Sequence, residues 1–250
     1  MRRYSPGSEH HAASYGSIYG RTVNAGYVPR RADLTLTAGN ISSWAPSDGA
    51  TAPPIIQGTA SRMPSFNECD PLMDGREAAG FDGTDDRLIG TFLESQWALG
   101  ARPSAALVAR HTDTANATVL ESYVVVSTEW MQMALVASQF YSQFNANAGT
   151  DGLSMMASDS GVHLFECHPY STGRQHFVDG QAFAGVGSDG VGSRVDGAEA
   201  IVLGSTSDDA RDFEGRVGEL AFCTLTTREQ NRALRERVYR RYPSIGAIGR

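Results

Sequence analysis

The acidic residues of this sequence do not follow the pattern that glycan-cleaving enzymes of β-sheet folds require. Such enzymes use two carboxylates, one as nucleophile or base and the other as acid. Two carboxylates on one strand share a face when they stand at alternating positions, as the first two do in Glu-x-Asp-x-x-Glu. This full motif does not occur: Glu214 and Glu219 are five positions apart, and the neighbouring acidic residues Asp208, Asp209 and Asp212 lie in an expected turn. We therefore predict that the chain is not an enzyme.

The histidines add no case for nucleophilic catalysis. Two of them belong to a polar N-terminal segment, and the others fall near the ends of expected strands. They are His10 and His11, then His111, His163, His168 and His176. A histidine in such a place usually has a structural role, and no Gly-x-Ser-x-Gly motif supplies an activated serine. The sequence predicts no catalytic residue and no cofactor.

A metal site is one interpretation of a short acidic turn. Asp82, Asp85 and Asp86 offer hard oxygen ligands of the kind that calcium accepts. Their spacing is not that of an EF-hand loop, and Asp-Gly-x-Asp is also ordinary turn chemistry. We therefore expect a turn in which Asp82 or Asp85 accepts hydrogen bonds from nearby backbone amides, and we predict no metal site.

Composition and charge exclude two classes of partner. The formal net charge is -7, so a phosphate backbone would be repelled and nucleic acid is not expected as a partner. No apolar run approaches the about 18 residues that a membrane-spanning helix needs. Residues 4–20 are polar and glycine-rich, so the apolar core of a signal peptide is missing and export by that route is not expected.

Short β-prone runs separated by turn residues dominate the chain from Ala32 onward. The expected strands cover residues 33–37, 78–81, 105–109, 119–126, 133–137, 153–156, 161–167, 176–178, 200–203 and 216–223. The last of them alternates with a slip near Gly218 that a β-bulge would absorb. Residues 184–197, rich in Gly, Ser and Asp, are expected to form a loop. Many short strands at this spacing indicate a sandwich or a barrel.

One helix is expected after the last strand. Thr226 and Glu229 fit a capping box, and Leu234, Val238 and Tyr242 recur at four-residue steps to make one apolar face. Pro243 is expected to end the helix. The other side carries arginines for which we expect a solvated face. They are Arg232, Arg235, Arg237, Arg240 and Arg241.

Residues 1–31 differ from the rest of the chain because tyrosines stand there among Ser, Gly, His and Arg with few aliphatic residues. Such a segment cannot form a core of its own, so it is either a loose terminus or an arm that lies against a neighbouring subunit. Tyrosine and arginine favour interfaces. The candidate partner contacts are Arg2, Arg3, Tyr4, Tyr15, Tyr19 and Tyr27.

Four stretches carry a resemblance to a known family. They are a tryptophan loop (44–48) followed by 60–64, the run Phe-Asp-Gly-Thr-Asp-Asp-Arg-Leu (81–88), a hairpin ending in Val-Asp-Gly (173–180), and a closing strand with its helix (213–242). In this order they resemble the concanavalin A-like, laminin G-like jelly roll that is common in bacteriophage structural proteins. Residues 130–144 depart from that pattern, and an inserted lobe is one interpretation. The large residues of this stretch, expected in the core, are Met131, Met133, Phe140, Tyr141 and Phe144.

The resemblance implies an all-β fold, an antiparallel jelly-roll β-sandwich with a C-terminal α-helix and an extended N-terminal arm. The arm would cover residues 1–31 and the jelly-roll domain residues 32–250. Function does not follow from this fold, because jelly rolls serve as enzymes, lectins and capsid components.

Two functions remain open. The first is a non-catalytic virion structural protein, a phage capsid decoration (cement) protein or tail component made in the host bacterial cytoplasm. It would attach to the major capsid protein or other virion subunits through the arm and one face of the sandwich, as a homo-oligomer. The alternative is a carbohydrate-binding, lectin-like module with a glycan as partner. The aromatic candidates for such a site are Trp44, Trp97, Trp130 and Tyr170.

Overall fold

The protein is an antiparallel β structure followed by two helices. The computed structural model describes residues 23–47, 52–93, 104–112, 117–124, 130–136, 139–145, 150–157, 160–170, 173–182, 198–206, 211–223 and 228–248. The strands are β1 (Val23–Tyr27), β2 (Leu34–Thr37), β3 (Asn40–Trp44), β4 (Ile55–Ile56), β5 (Ser65–Asp70), β6 (Arg76–Asp82), β7 (Leu88–Leu93), β8 (Ser104–His111), β9 (Ala117–Val124), β10 (Trp130–Val136), β11 (Gln139–Asn145), β12 (Thr150–Ala157), β13 (His163–Tyr170), β14 (Gly173–Val178), β15 (Gln181–Ala182), β16 (Ala198–Leu203) and β17 (Glu214–Cys223). The helices are α1 (Arg228–Arg241) and α2 (Pro243–Ile248). Over these ranges, no helix has both the length and the apolar character needed to cross a membrane.

Strand pairing arranges these strands in two antiparallel sheets. The first runs β5–β6–β17–β8–β13–β14–β15, with β1 on the same edge of β17 as β6. The second runs β2–β3–β4–β7–β16–β9–β10–β11–β12. A bridge between Asn40 of β3 and Ser65 of β5 connects the two sheets. The predicted antiparallel jelly-roll β-sandwich is confirmed.

The inner faces of the two sheets form one hydrophobic core. Alternate residues of each strand point into it, such as Phe81 on β6 and Leu220 on β17. Trp44 at the end of β3 is fully buried, and its indole N–H donates to the carbonyl oxygen of Val28 at 3.0 Å. The ring of Tyr27 meets the indole edge-on, with 6.2 Å between the ring centroids. The tryptophan of the predicted opening loop is therefore a core residue and not a sugar platform.

β17 is an interior strand of the first sheet, although it is the last strand along the chain. It pairs with β8 on one edge, and with β6 and β1 in succession on the other. Its pairing with β8 shifts register between Val217 and Glu219, so the predicted bulge at Gly218 is confirmed. A Cβ atom at Gly218 would lie 2.5 Å from the hydroxyl oxygen of Tyr242, which explains why the smallest residue stands there.

α1 packs on the outer face of the first sheet. Leu234, Val238 and Tyr242 are buried together with Ala106 and Val108 of β8, which confirms the predicted apolar face. α1 ends at Arg241, as the proline after it predicts, and the chain then turns into α2. The predicted N-cap lies outside the described residues.

The expectation of a solvated arginine face is wrong for three of the five arginines. Arg235 pairs with Glu166 of β13 at 2.7 Å, while Arg237 and Arg241 reach Glu219 of β17 at 2.9 and 2.8 Å. Both glutamates are buried beneath the helix. A buried carboxylate needs a charged partner, and the arginines of α1 supply it. The two arginines with largely exposed side chains are Arg232 and Arg240.

The last part of the predicted arm lies inside the sandwich. β1 runs antiparallel to the second half of β17, with Val23 beside Cys223 and Tyr27 beside Leu220. Residues 23–31 thus belong to the folded domain, although they contain few of the aliphatic residues that would predict a buried strand.

Tyr27 is a core residue and does not offer a surface for a partner. It is fully buried, and its hydroxyl donates to the carbonyl oxygen of Pro53 at 2.8 Å. The other candidate contacts of the arm are outside the described residues and stay predictions. They are Arg2, Arg3, Tyr4, Tyr15 and Tyr19.

The segment that departs from the family pattern continues the second sheet. β10 and β11 form an antiparallel hairpin between β9 and β12, so the structure shows two sheet strands where an inserted lobe was considered. Met133 is fully buried in the core, as expected. The side chains of Met131, Phe140, Tyr141 and Phe144, and the predicted loop 184–197, lie outside what the structure describes.

Candidate functional site

A polar groove opens where the two sheets meet, next to the bridge between β3 and β5. Its volume is about 510 Å³. The start of β3 and the 3₁₀ turn Ala60–Arg62 form one side, and the ends of β6 and β17 form the other. The polar residues that line it are Asn40, Ser61, Ser65, Asp82, Asp86, Glu214 and Arg216.

The turn after β6 supplies two of the groove's carboxylates. Asp82 accepts a hydrogen bond from the backbone N–H of Thr84 at 2.9 Å, and the N–H of Asp82 donates to the carboxylate of Asp86 at 3.0 Å. Gly83 has a φ of +77°, a conformation that glycine adopts without strain. The expectation that Asp82 bonds to a nearby backbone amide is confirmed.

Asp86 carries the most perturbed carboxyl group of the groove. Burial raises its pKa to about 7, and the negative charges of Asp82 and Asp85 act in the same direction. The hydrogen bond from the backbone of Asp82 lowers the pKa and so opposes part of this shift. The residue is 7% exposed. This carboxyl group therefore exchanges its proton near neutral pH.

Arg216, the positively charged residue in the lining of the groove, already forms an ion pair within the protein. Arg216 of β17 donates from Nε to the carboxylate of Asp70 at 2.8 Å and from Nη1 to the carbonyl oxygen of Gly215 at 3.0 Å. Its guanidinium lies over Gly80, where an added Cβ atom would come within 3.1 Å of Nη1 and 2.6 Å of the Ser65 hydroxyl. The absence of a side chain at Gly80 therefore leaves room for both groups.

Glu214 joins the acidic turn through strand pairing. It is the direct partner of Asp82 in the antiparallel ladder between β17 and β6, and such partners have Cβ atoms about 5 Å apart. A search for carboxylates along one strand misses this pair because its members are far apart in sequence. Only the register of the two strands reveals it.

The three aspartates of the turn are close enough to share one cation. One ligand oxygen from each of Asp82, Asp85 and Asp86 falls within 4.8 Å of the others. Turn hydrogen bonds already account for the positions of Asp82 and Asp86, and Asp85 lies 3.8 Å from the guanidinium of Arg62. The arrangement is that of a hydrogen-bonded turn, as the sequence predicts.

The described histidines are not among the residues that line the groove. His163 is buried and its Nδ1 lies 2.7 Å from the carboxylate of Asp179, which suits the structural role expected of it. His111 and His176 are buried within or at the end of strands. His10, His11 and Trp97, with the side chains of His168, Trp130 and Tyr170, are outside the described residues.

Solved structures of known proteins share this fold at low sequence identity. The domains LG4-5 of the mouse laminin alpha1 chain match with a TM-score of 0.50 and 16% identity, over 64% of this chain and 43% of that one. A Trypanosoma rangeli sialidase in complex with sialic acid matches with a TM-score of 0.58 and 11% identity, over 84% of this chain and 32% of that one. Botulinum neurotoxin type C, whose cell entry depends on interaction with two ganglioside molecules, matches with a TM-score of 0.50 and 8% identity, over 74% of this chain and 50% of that one.

These likenesses concern the fold, a laminin G-like β-sandwich. The chain spans half or less of each of the three proteins. No family model matches the sequence, and no curated protein matches it.

Proposed function

We propose that this protein is a carbohydrate-binding, lectin-like module without catalytic activity, and that the groove between β3, β6 and β17 is where the glycan binds. The observation that carries the proposal is the lining of the groove. Amide, hydroxyl and carboxylate groups converge there on one open volume of about 510 Å³ at the junction of the sheets.

These groups suit the chemistry of a sugar. Each sugar hydroxyl both donates and accepts, so it needs acceptors such as Asp82 and groups such as the Asn40 amide that do both. Met63, also in the lining, offers an apolar contact for the C–H face of a ring. Two proteins that share this fold have sugar ligands, because the sialidase is in complex with sialic acid and the neurotoxin interacts with gangliosides.

The non-catalytic part of the proposal rests on the arrangement of the carboxylates. Asp82 and Glu214 face each other across the ladder, and the turn hydrogen bond already uses one oxygen of Asp82. Hydrolysis by two carboxylates requires them to flank the glycosidic bond, one as acid and the other as base or nucleophile. Asp82 and Glu214 are neighbours in one ladder and lie side by side on the same side of the groove. The groove residues are better placed to accept hydrogen bonds from one side of a sugar.

A glycan array with the full chain tests the proposal. We expect binding to be lost when Asn40 and Ser65 are both replaced by alanine, since each removed hydrogen bond to a buried ligand weakens binding by about tenfold. Ser43→Ala on β3 is the matched control, because Ser43 is not among the groove residues and its variant should bind like the parent. Absence of binding to any glycan, or equal loss in the control, would contradict the proposal, and mass spectrometry should recover the bound glycans uncleaved.

Attachment to a virion remains a second proposal, with the capsid decoration protein as its most specific form. β1 supports it, because this strand ties the segment of residues 1–22 to the interior strand β17 by backbone hydrogen bonds. A partner that held the segment would thus hold the whole sandwich. Mixing assembled phage capsids with the full chain and with a chain lacking residues 1–22 is the test, and equal binding of both would count against it.

A further inference from the structure

The charges around the groove do not balance. Arg216 is 2.8 Å from Asp70, and Arg62 is 3.8 Å from Asp85, so each of these cations already has a carboxylate beside it. Within the described part of the chain, Asp82, Asp86 and Glu214 lie in the lining and form no ion pair. A ligand in the groove therefore meets carboxylates whose charge is not compensated.

We infer that the groove binds uncharged glycans and rejects glycans that carry a carboxylate. The inference rests on the proposed function and specifies its ligand class. A sugar hydroxyl can donate to Asp82 or Glu214 in a charge-assisted hydrogen bond, which is stronger than one between neutral groups. A sugar carboxylate offers no proton in this pH range and brings a like charge to the same acceptors.

Arg216 does not compensate for this repulsion. The fork through Nε, one of the two forks that bind a carboxylate bidentately, is not available to a ligand. Nε is hydrogen bonded to Asp70, which is 4% exposed, and one N–H of Nη1 donates to the carbonyl of Gly215. Freeing Nε would leave the buried Asp70 carboxylate without its cation, so the arginine is held as a structural group.

Repulsion of this kind is large enough to measure. A ligand carboxylate about 5 Å from one uncompensated carboxylate should bind roughly fourfold more weakly than its neutral analogue at the dielectric constant of water, and more than about a hundredfold more weakly at an effective dielectric constant of about 20. About tenfold is therefore expected for a groove that is open to solvent. The effect should grow as Asp86 loses its proton. The charged groups that face Asp86 are Asp82 on β6, Asp85 in the same turn, Glu214 on β17, and Arg62 and Arg216 beyond them.

The experiment compares matched glycan pairs that differ by one acid group, such as a chain that ends in glucuronic acid and the same chain ending in glucose. Affinities are measured for the full chain in buffer containing EDTA, so that an added cation cannot mask the carboxylates. We expect the neutral member to bind about tenfold more tightly. The ratio of the two affinities should fall by about the same factor in Glu214→Gln, whereas Glu236→Gln, an exposed carboxylate of α1, should leave it unchanged.

The outcomes separate the two proposals. Tighter binding of the acidic members, lost on replacing Asn40 and Ser65, would overturn the charge selectivity and leave the glycan-binding function standing. Binding of no glycan at all would overturn the proposed function and this inference with it. An unchanged ratio in Glu214→Gln would show that the groove carboxylates do not set the selectivity.

Discussion

Asp86 is the residue whose chemistry depends most on the fold around it. In a flexible, solvated chain its carboxyl group has a pKa of 3.8, and in the folded protein the pKa rises to about 7. The folded state therefore keeps a proton that the unfolded state has released throughout this interval. Because the unfolded state binds fewer protons there, the free energy of unfolding should fall as pH rises from about 4 to about 7 and stay level above it.

Replacing Asp86 by asparagine should remove this pH-dependent fall in the free energy of unfolding. The amide oxygen can still accept from the N–H of Asp82, and it carries no charge to repel Asp82 and Asp85. We expect Asp86→Asn to be more stable than the parent by up to about 4 kcal/mol at pH 8, with the difference vanishing near pH 4. Urea unfolding across this pH range measures it. Glu68→Gln, at an exposed position of β5, should keep the parent's pH profile, and a larger loss for Asp86→Asn at pH 8 would refute the argument.

Single residues of the groove were only partly predictable from sequence. The turn around Asp82 can be predicted locally, because in Asp-Gly-x-Asp the hydrogen bonds of the turn join residues only a few positions apart. Glu214 and Arg216 have no such local sequence signature. Their position in the groove depends on which strand pairs with β17 and in which register. The pKa of Asp86 likewise depends on burial, which short-range sequence does not report.

At the scale of elements, the sequence of α1 predicts the buried face of the helix correctly, but it does not predict the ion-pair partners of the arginines. The spacing of Leu234, Val238 and Tyr242 predicts the buried face, because helical periodicity is a local property. The partners of the arginines are Glu166, on a strand 69 positions from Arg235, and Glu219, on the strand directly before the helix. A charged residue next to an apolar face looks solvated until the opposite sheet is known.

Breaking one of these pairs should cost far more than breaking a surface pair. Glu166 is fully buried, with Arg235 of α1 at 2.7 Å. In Glu166→Gln the guanidinium would keep its charge over the sheet without a carboxylate, and we expect a loss of about 3 kcal/mol. Glu236→Gln breaks the exposed pair with Arg232 and should cost at most about 0.5 kcal/mol. Chemical unfolding of both variants gives the comparison, and equal losses would contradict this account of helix docking.

At the scale of the whole molecule, the sandwich was predictable from many short strands and the family resemblance, but its boundary was not. β1 has the sequence Val-Asn-Ala-Gly-Tyr, which lacks the alternation of a half-buried strand. Its pairing with β17 joins residues that are 193 (Tyr27 and Leu220) to 200 (Val23 and Cys223) positions apart. Local composition marked residues 23–31 as part of an arm, and only the long-range contact shows otherwise.

Two truncations should separate the arm from the domain. A chain lacking residues 1–22 keeps β1 and should unfold cooperatively, as the full chain does. A chain lacking residues 1–31 loses the buried Tyr27 and the Val28 carbonyl to which Trp44 donates, and we expect it to lose several kcal/mol or fail to fold. Circular dichroism and thermal unfolding distinguish the cases. Equal stability of the two truncated chains would place the domain boundary after residue 31.

The interior position of β17 has a consequence for the newly made chain. A ribosome adds residues from the N-terminus at about 5–20 per second, and domains fold as units as they emerge. Here β6 and β8 are complete long before the strand that lies between them, so each presents an unpaired edge until Cys223 has been synthesised. Open edges of this kind recruit other strands. The interval before β17 appears is therefore the stage at which a chaperone would protect this protein most and at which premature termination would do most harm.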